Sequence, residues 1–424
     1  MKNQIFLIWM LFFVAWYNVF VEGQNIKDKT LDEDQCFICH KEMEILPENF
    51  SESDVHMKAG LSCAGCHGGD ASNDDMEIAM STGRGFVGVP TRKEIPQFCG
   101  KCHSKIEIMR VYQPRISTDQ LSQYYTSVHG MQLRKGDQNV AECVSCHTSH
   151  SIYYSNDPRS TVYALNVPNT CNNCHGDKRL MEKYGLKANE LTEYSKSVHG
   201  IALLENKDIG APACNDCHGN HGATPPGISS ISHVCGTCHI NNEQYFKKSS
   251  MAAAFEEMDY HGCEQCHGNH LINRPNDNMV GMGDESLCMD CHSEGDPGYE
   301  AGEEMKNYLT LLVNSYNSAE AKLKDVQNKG MNDADIILLL QEAKQNLIQS
   351  RTLIHTFDPL KIKEKTDEGF KKVNEGVKLA DFEINEYYSR RNGFALATVV
   401  FLILVIALYL KLKDMAKSRK NKEA

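Results

Sequence analysis

The chain has 424 residues, a formal net charge of −12 at pH 7 and 18 cysteines. The acidic balance argues against a nucleic-acid partner, because phosphates are bound by lysine and arginine. All 18 cysteines fall in nine copies of CxxCH. That excludes a disulfide framework, which needs no histidine after every second cysteine. It also excludes zinc knuckles, which assemble four-ligand sites without a strict trailing histidine.

Residues 1–23 have the form of a secretory signal: Lys2, an apolar run from Ile5 to Val21, then Val21-Glu22-Gly23 as a cleavage site. No twin arginine is present, which favours export of an unfolded chain. The run is long for such a segment, and an uncleaved anchor is the alternative.

Residues 24–297 carry the nine motifs. The first three are Cys36, Cys39 and His40; Cys63, Cys66 and His67; Cys99, Cys102 and His103. The next three are Cys143, Cys146 and His147; Cys171, Cys174 and His175; Cys214, Cys217 and His218. The last three are Cys235, Cys238 and His239; Cys263, Cys266 and His267; Cys288, Cys291 and His292. CxxCH is the attachment pattern of c-type haem: two thiols bond the porphyrin and the adjacent histidine ligates iron. Nine covalently bound haem c groups are expected. Long apolar runs are scarce here, so the porphyrins must supply the buried surface. Without haem this region should not fold.

Nine further histidines remain for nine distal positions: His56, His129, His150, His199, His221, His233, His261, His270 and His355. Neutral imidazole is a good iron ligand, and two on each iron leave no open position. Most of these histidines recur at fixed places in four modules after the lone first motif. Each module opens with a histidine a few residues after an aromatic, at His56, His129, His199 and His261. A CxxCH follows each opening, and in three modules a histidine comes three residues later: His150, His221 and His270. Asp70 takes that place in the first module. If the motif helix continued, this histidine would lie one turn beyond the proximal one and face another haem. A second CxxCH closes each module. His233, two residues before motif seven, has a surface or propionate-contacting role as its alternative. His355 has a solvent-facing one, at a helix C-terminus that suits its charge.

Residues 298–391 contain no cysteine and show heptad stripes. The first is Met305, Leu309, Leu312, Tyr316, Ala319, Leu323 and Val326. The second is Ile336, Leu340, Ala343, Leu347, Ile354 and Phe357, interrupted by Ser350. The third is Phe370, Val373, Val377, Ala380, Ile384 and Tyr387. Gly330 should end the first helix, Asn332 or Asp333 cap the second, and Asp358-Pro359 open the third. An antiparallel three-helix bundle is expected, with a homo-oligomeric coiled coil as the alternative. His355 would let the bundle donate one axial ligand.

Residues 393–412 form a transmembrane helix, apolar from Phe394 to Leu412 except at Lys411. The basic tail, 413–424, carries Lys413, Lys417, Arg419, Lys420 and Lys422, which places it in the cytoplasm and the haem domain in the periplasm or an equivalent extracytoplasmic space. The fold class is therefore mainly α with much irregular structure. A haem-organised domain precedes the bundle and the C-terminal membrane helix.

Paired CxxCH motifs preceded by "SVHG" and followed by "CHxxH" resemble the multihaem cytochromes of anaerobic respiration, over residues 36–292 and His355. The resemblance is greatest to membrane-anchored periplasmic cytochromes that pass electrons from the quinol pool. It implies an electron carrier with no catalytic residue, working between an integral, quinol-linked membrane subunit such as a b-type cytochrome and periplasmic redox proteins. The alternative is an oxidoreductase acting on a small nitrogen or sulfur compound, as in the related nitrite and hydroxylamine enzymes. The CxxCK of many nitrite reductases is missing here.

Overall fold

The computed structural model describes residues 31–225 and 231–423; the expected signal, 1–23, lies outside them. Among the described residues the regular structure is helical, with no strand. The chain divides into two compact units. One comprises residues up to Val234 with Asn269–Asn273, the other Cys235–Gly268 with Arg274 onward. Motifs seven to nine thus group with the C-terminal helices.

In the first unit short helices alternate with turns, and their starts are set by side-chain caps. Asp54 caps Val55–Lys58, Ser127 caps Val128–Arg134 and Ser197 caps Val198–Gly200. Each cap accepts from a backbone N–H of the first turn, which would otherwise be unsatisfied. The buried apolar cluster here is small: Val167, Leu203 and Ala213, with Tyr194 and Leu204 packed against it.

The second unit contains the bundle. Helix α1 runs Pro297–Asn328, with Asp296 accepting from Tyr299 N and Pro297 at the first position, where a missing N–H costs nothing. It stops at Lys329 and Gly330, whose φ of 65° favours glycine. Helix α2 spans Ala334–Leu353, and a 3₁₀ turn, Ile354–Thr356, leads to Phe357 at φ 52°. Helix α3 then runs unbroken from Pro359 to Glu423.

Leu340 on α2 lies beside Gly376 on α3, and Leu312 and Asn346 lie beside Gly369. Lys322 of α1 pairs with Asp381 of α3. Residue numbers thus rise together on α1 and α3 and fall on α2, an up-down-up order. The stripes form the core: Leu309, Leu312, Val326 and Ala343 are fully buried. Ser350 is also buried, and its hydroxyl donates to Asn346 O. The third stripe starts two turns earlier than expected, at buried Ile362 and Thr366. No helix break separates the bundle from the apolar segment at 391–393, because nothing there forces one: Gly393 meets no neighbour and no proline follows. The Phe394–Leu412 stretch is exposed throughout and is long and apolar enough to cross a membrane, with a mean hydropathy of 2.7 in its best window.

Candidate haem centres

CxxCH suits one turn of helix. Residues i, i+3 and i+4 share a face, so both thiols and the imidazole point the same way. The opening motifs Cys63–His67, Cys143–His147, Cys214–His218 and Gly262–His267 are such turns. Motif one, with Cys36, Cys39 and His40, lies inside the helix Gln35–Glu42, which Asp34 caps. The closing motifs of the first two modules end longer helices, Ile95–His103 and Val167–His175.

Motifs seven and nine depart from this form. Cys235 lies in the 3₁₀ helix Ile231–Thr237, Cys238 falls just past its end, and His239 is the N-cap of the next helix, Ile240–Lys247. The turn is tight there because Cys235 O accepts from both Cys238 N, at 3.3 Å, and His239 N, at 2.9 Å. Motif nine sits at the 3₁₀ turn Leu287–Asp290.

The opening motif helices stop at the histidine and do not continue. Gly68, Thr148, Gly219 and Gly268 follow with φ of 70°, 64°, 77° and 71°. The chain reverses there, so the histidine three residues on is placed by a turn, not by the next helical turn. Its ring faces the histidine of a different motif.

Pairs of imidazoles face each other at several places. The ring centroids are 6.0 Å apart for His56–His103, 6.2 Å for His67–His150, 6.1 Å for His129–His175, 6.1 Å for His147–His221, 5.9 Å for His218–His270 and 6.2 Å for His267–His355. Each joins one motif histidine to one non-motif histidine. Two imidazoles on opposite sides of one metal, each nitrogen about 2 Å from it, put their centroids roughly 6 Å apart. That spacing is too long for a ring–ring hydrogen bond and right for an iron between them. The residues therefore fit the group.

Second contacts orient the rings. His67 Nδ1 is 2.8 Å from Gly88 O, His56 Nδ1 3.1 Å from Asp54 Oδ1 and His355 Nδ1 3.0 Å from Thr352 O. A ring nitrogen bonded in this way leaves Nε2 for a metal. Asp54 also accepts from Ile152 N at 2.6 Å, which fixes the stretch of chain that carries His150. Burial opposes ionisation of Asp54, but the His56 and Ile152 hydrogen bonds prevail and hold it below the usual carboxylate range. Burial, chiefly, lowers His103, His129, His147, His150, His218, His221, His267 and His355, and His147 falls to about 4. Neutral imidazole is the ligating form. His150 Nδ1 is buried without a hydrogen-bond partner.

Backbone and aromatic contacts repeat with the modules. Tyr124 and Tyr194 donate from their hydroxyls to Ala141 O and Pro212 O, each two residues before a motif cysteine. Ser127 and Ser197 donate to the carbonyls of those same tyrosines. A Cβ on Gly130 or Gly200 would lie 2.1 or 1.9 Å from those carbonyl oxygens, which explains the glycine in SVHG.

The two cysteines of a motif are not placed alike. First cysteines meet across successive modules: Cys99 lies beside Cys143, Cys171 beside Cys214, and Cys235 beside Cys263. Second cysteines take no part in those three contacts. Cys102 and Cys238 are exposed, while Cys39, Cys174 and Cys217 are half-buried. Cys102 lies close enough to Cys66, and Cys174 to Cys146, for a thiolate on one to raise the other. Cys217 acts in the same way on Cys214, and Cys39 on Cys36. Cys238 Sγ is 3.8 Å from Thr237 Oγ1.

His199 occupies the second position of its helix, as His56 and His129 do of theirs. A charge on His239 would oppose protonation of His267 and His355, so its ring lies near that pair. Among the described residues, His40, His233, His261 and His292 face no second imidazole. His233 is exposed on a 3₁₀ helix. The His261 side chain is 66% exposed and pairs with Glu264, while His292 Nδ1 pairs with Asp296 at 3.0 Å.

Residues 55–176, which hold motifs two to five, match the family model for Cytochrome c3. The chain thus contains a cytochrome c3-like domain, which supports a multihaem electron-transfer cytochrome. The match begins one residue before His56 and ends one residue after His175, so its limits are those of two modules as the ligand geometry defines them. No curated protein and no solved structure shows significant similarity to the chain.

Proposed function

We propose that the protein is a nine-haem, membrane-anchored c-type cytochrome. It carries electrons outside the cytoplasmic membrane, between a quinol-linked integral partner such as a b-type cytochrome and periplasmic redox proteins of anaerobic respiration. The observation that carries this reading is the set of opposed histidine pairs at 5.9–6.2 Å. Haem held there supplies one-electron transfer at low potential, because bis-histidine ligation lacks the potential-raising methionine.

The chain's own part is to hold rings rigidly and exclude exchangeable ligands. Asp54, Thr352 and Gly88 O fix ring orientation, and burial keeps the imidazoles neutral. The exposed apolar end of α3, followed by Lys411, Lys413 and Lys417, supports a membrane anchor with a cytoplasmic tail. That single helix offers few polar groups to a quinone, which supports a separate quinol-linked subunit.

Intact mass should show nine covalent haems, and electron paramagnetic resonance should be dominated by low-spin iron. A chain without covalent haem ends the proposal. The second reading, reduction of a small nitrogen or sulfur compound, rests on His40, which faces no second imidazole among the described residues. Carbon monoxide binding to the reduced protein, with rapid nitrite or hydroxylamine turnover, would favour it.

A further inference from the structure

Three module openings share one build. An aromatic residue precedes a serine by three positions, and the serine hydroxyl donates to the aromatic residue's carbonyl. The serine then caps a helix whose second residue is a histidine in the two SVHG modules. Tyr124, Ser127 and His129 are one set; Tyr194, Ser197 and His199 are another. The third is Phe246, Ser249 and Met251. Ser249 donates to Phe246 O at 2.7 Å, accepts from Ala252 N at 3.3 Å and caps Ser250–Glu257, whose second residue is Met251.

The aromatic sets the register in each case. Tyr124 and Tyr194 bond the chain just before Cys143 and Cys214, and the Phe246 ring lies 3.1 Å from where a Gly262 Cβ would stand, just before Cys263. Met251 lies 12 residues ahead of that cysteine, against 14 and 15 for His129 and His199. His261 lies two ahead, caps the motif helix itself, and is largely exposed. Ala252 takes the place of the SVHG glycine, the smallest possible enlargement.

In the two modules that lie wholly in the first unit, this second helical residue faces the closing motif: His56 faces His103 and His129 faces His175. In the fourth module the closing histidine is His292, whose Nδ1 is held by Asp296 and which no imidazole opposes among the described residues. We infer that Met251, not His261, is the distal axial ligand of the haem attached at Cys288 and Cys291. This rests on the haem reading above. Thioether ligation raises the potential of c-type iron relative to paired histidines, so one centre of the nine would stand apart as the high-potential one.

The test uses the full-length holoprotein. The oxidised wild type should show the far-red sulfur-to-iron charge-transfer band, with an intensity equivalent to one haem in nine. Met251→Leu should abolish the band and create one high-spin haem. Met251→His should abolish it while keeping every haem low-spin, and should lower the highest-potential step of the redox titration to the level of the others. His261→Ala should leave band and spin state as in the wild type. With nine haems counted by mass, three results would overturn the assignment: no band in the wild type, a band that survives Met251→Leu, or a high-spin haem produced by His261→Ala. A mass lacking haem on Cys288 and Cys291 overturns the underlying haem reading as well.

Discussion

The CxxCH region and the bundle solve the same problem by different means. In the bundle Leu309, Leu312, Val326 and Ile362 are completely removed from solvent, and the heptad stripes, extended to Ile362, supply a continuous core. In the first unit the buried cluster is only Val167, Leu203 and Ala213, and order is imposed by caps, tyrosine clamps and opposed imidazoles. Conformational entropy costs about 1–2 kcal/mol per residue in both. The bundle offsets it with burial of its own side chains, the haem region with bonds to a group the chain does not encode.

Removing the haems should separate the two regions most. A haem-free chain, made without the attachment machinery, should yield to limited proteolysis everywhere except a fragment spanning about Pro297 to Arg390, identified by mass. A protected fragment within 55–225 would remove the distinction. Next in size, Leu309→Ala should cost about 2–5 kcal/mol of bundle stability, read from the denaturant midpoint of the helical signal, with haem content unchanged.

Gly200→Ala should cost about 2 kcal/mol or more, because its Cβ would sit 1.9 Å from Tyr194 O, and should lower the yield of fully haem-loaded protein. His355→Ala sharpens the comparison differently, since the bundle supplies this ring to the motif of His267. It should convert one haem to high-spin without changing haem content, and an unaltered spectrum would show that the bundle ligates nothing. The smallest effect is expected of Lys322→Met. The pair with Asp381 is about half exposed, so its loss should shift bundle stability by less than about 1 kcal/mol.

Much of this was legible in the sequence because it is local. CxxCH spacing is a property of one helical turn, and the three stripes name most of the bundle core. Where the turn is 3₁₀, as between Cys235 and Cys238, the same spacing hides a different backbone, and His239 begins another helix. The third stripe's start was missed because Thr366 is polar and its hydroxyl is satisfied within the helix, at Lys363 O. The continuity of α3 into the apolar stretch follows from a junction where the backbone has no reason to break. Ring pairing was not legible, since His67 and His150 lie 83 residues apart and are brought together by Asp54 and Ile152. The fourth opening hid because Phe246, Ser249 and Met251 lack the histidine by which the others are recognised. The geometry of the serine cap reveals it.

The ring pairs also have a direction. His67 faces His150, His147 faces His221, and His218 faces His270, each borrowed from the following module, and the series closes when His267 meets His355. Built from its amino end, the chain therefore leaves each of these modules waiting for the next, and a truncation after any of them leaves a motif histidine without its facing ring. The last partner to arrive, His355, belongs to the bundle ahead of the apolar stretch, so the series is complete only when the chain has been made that far.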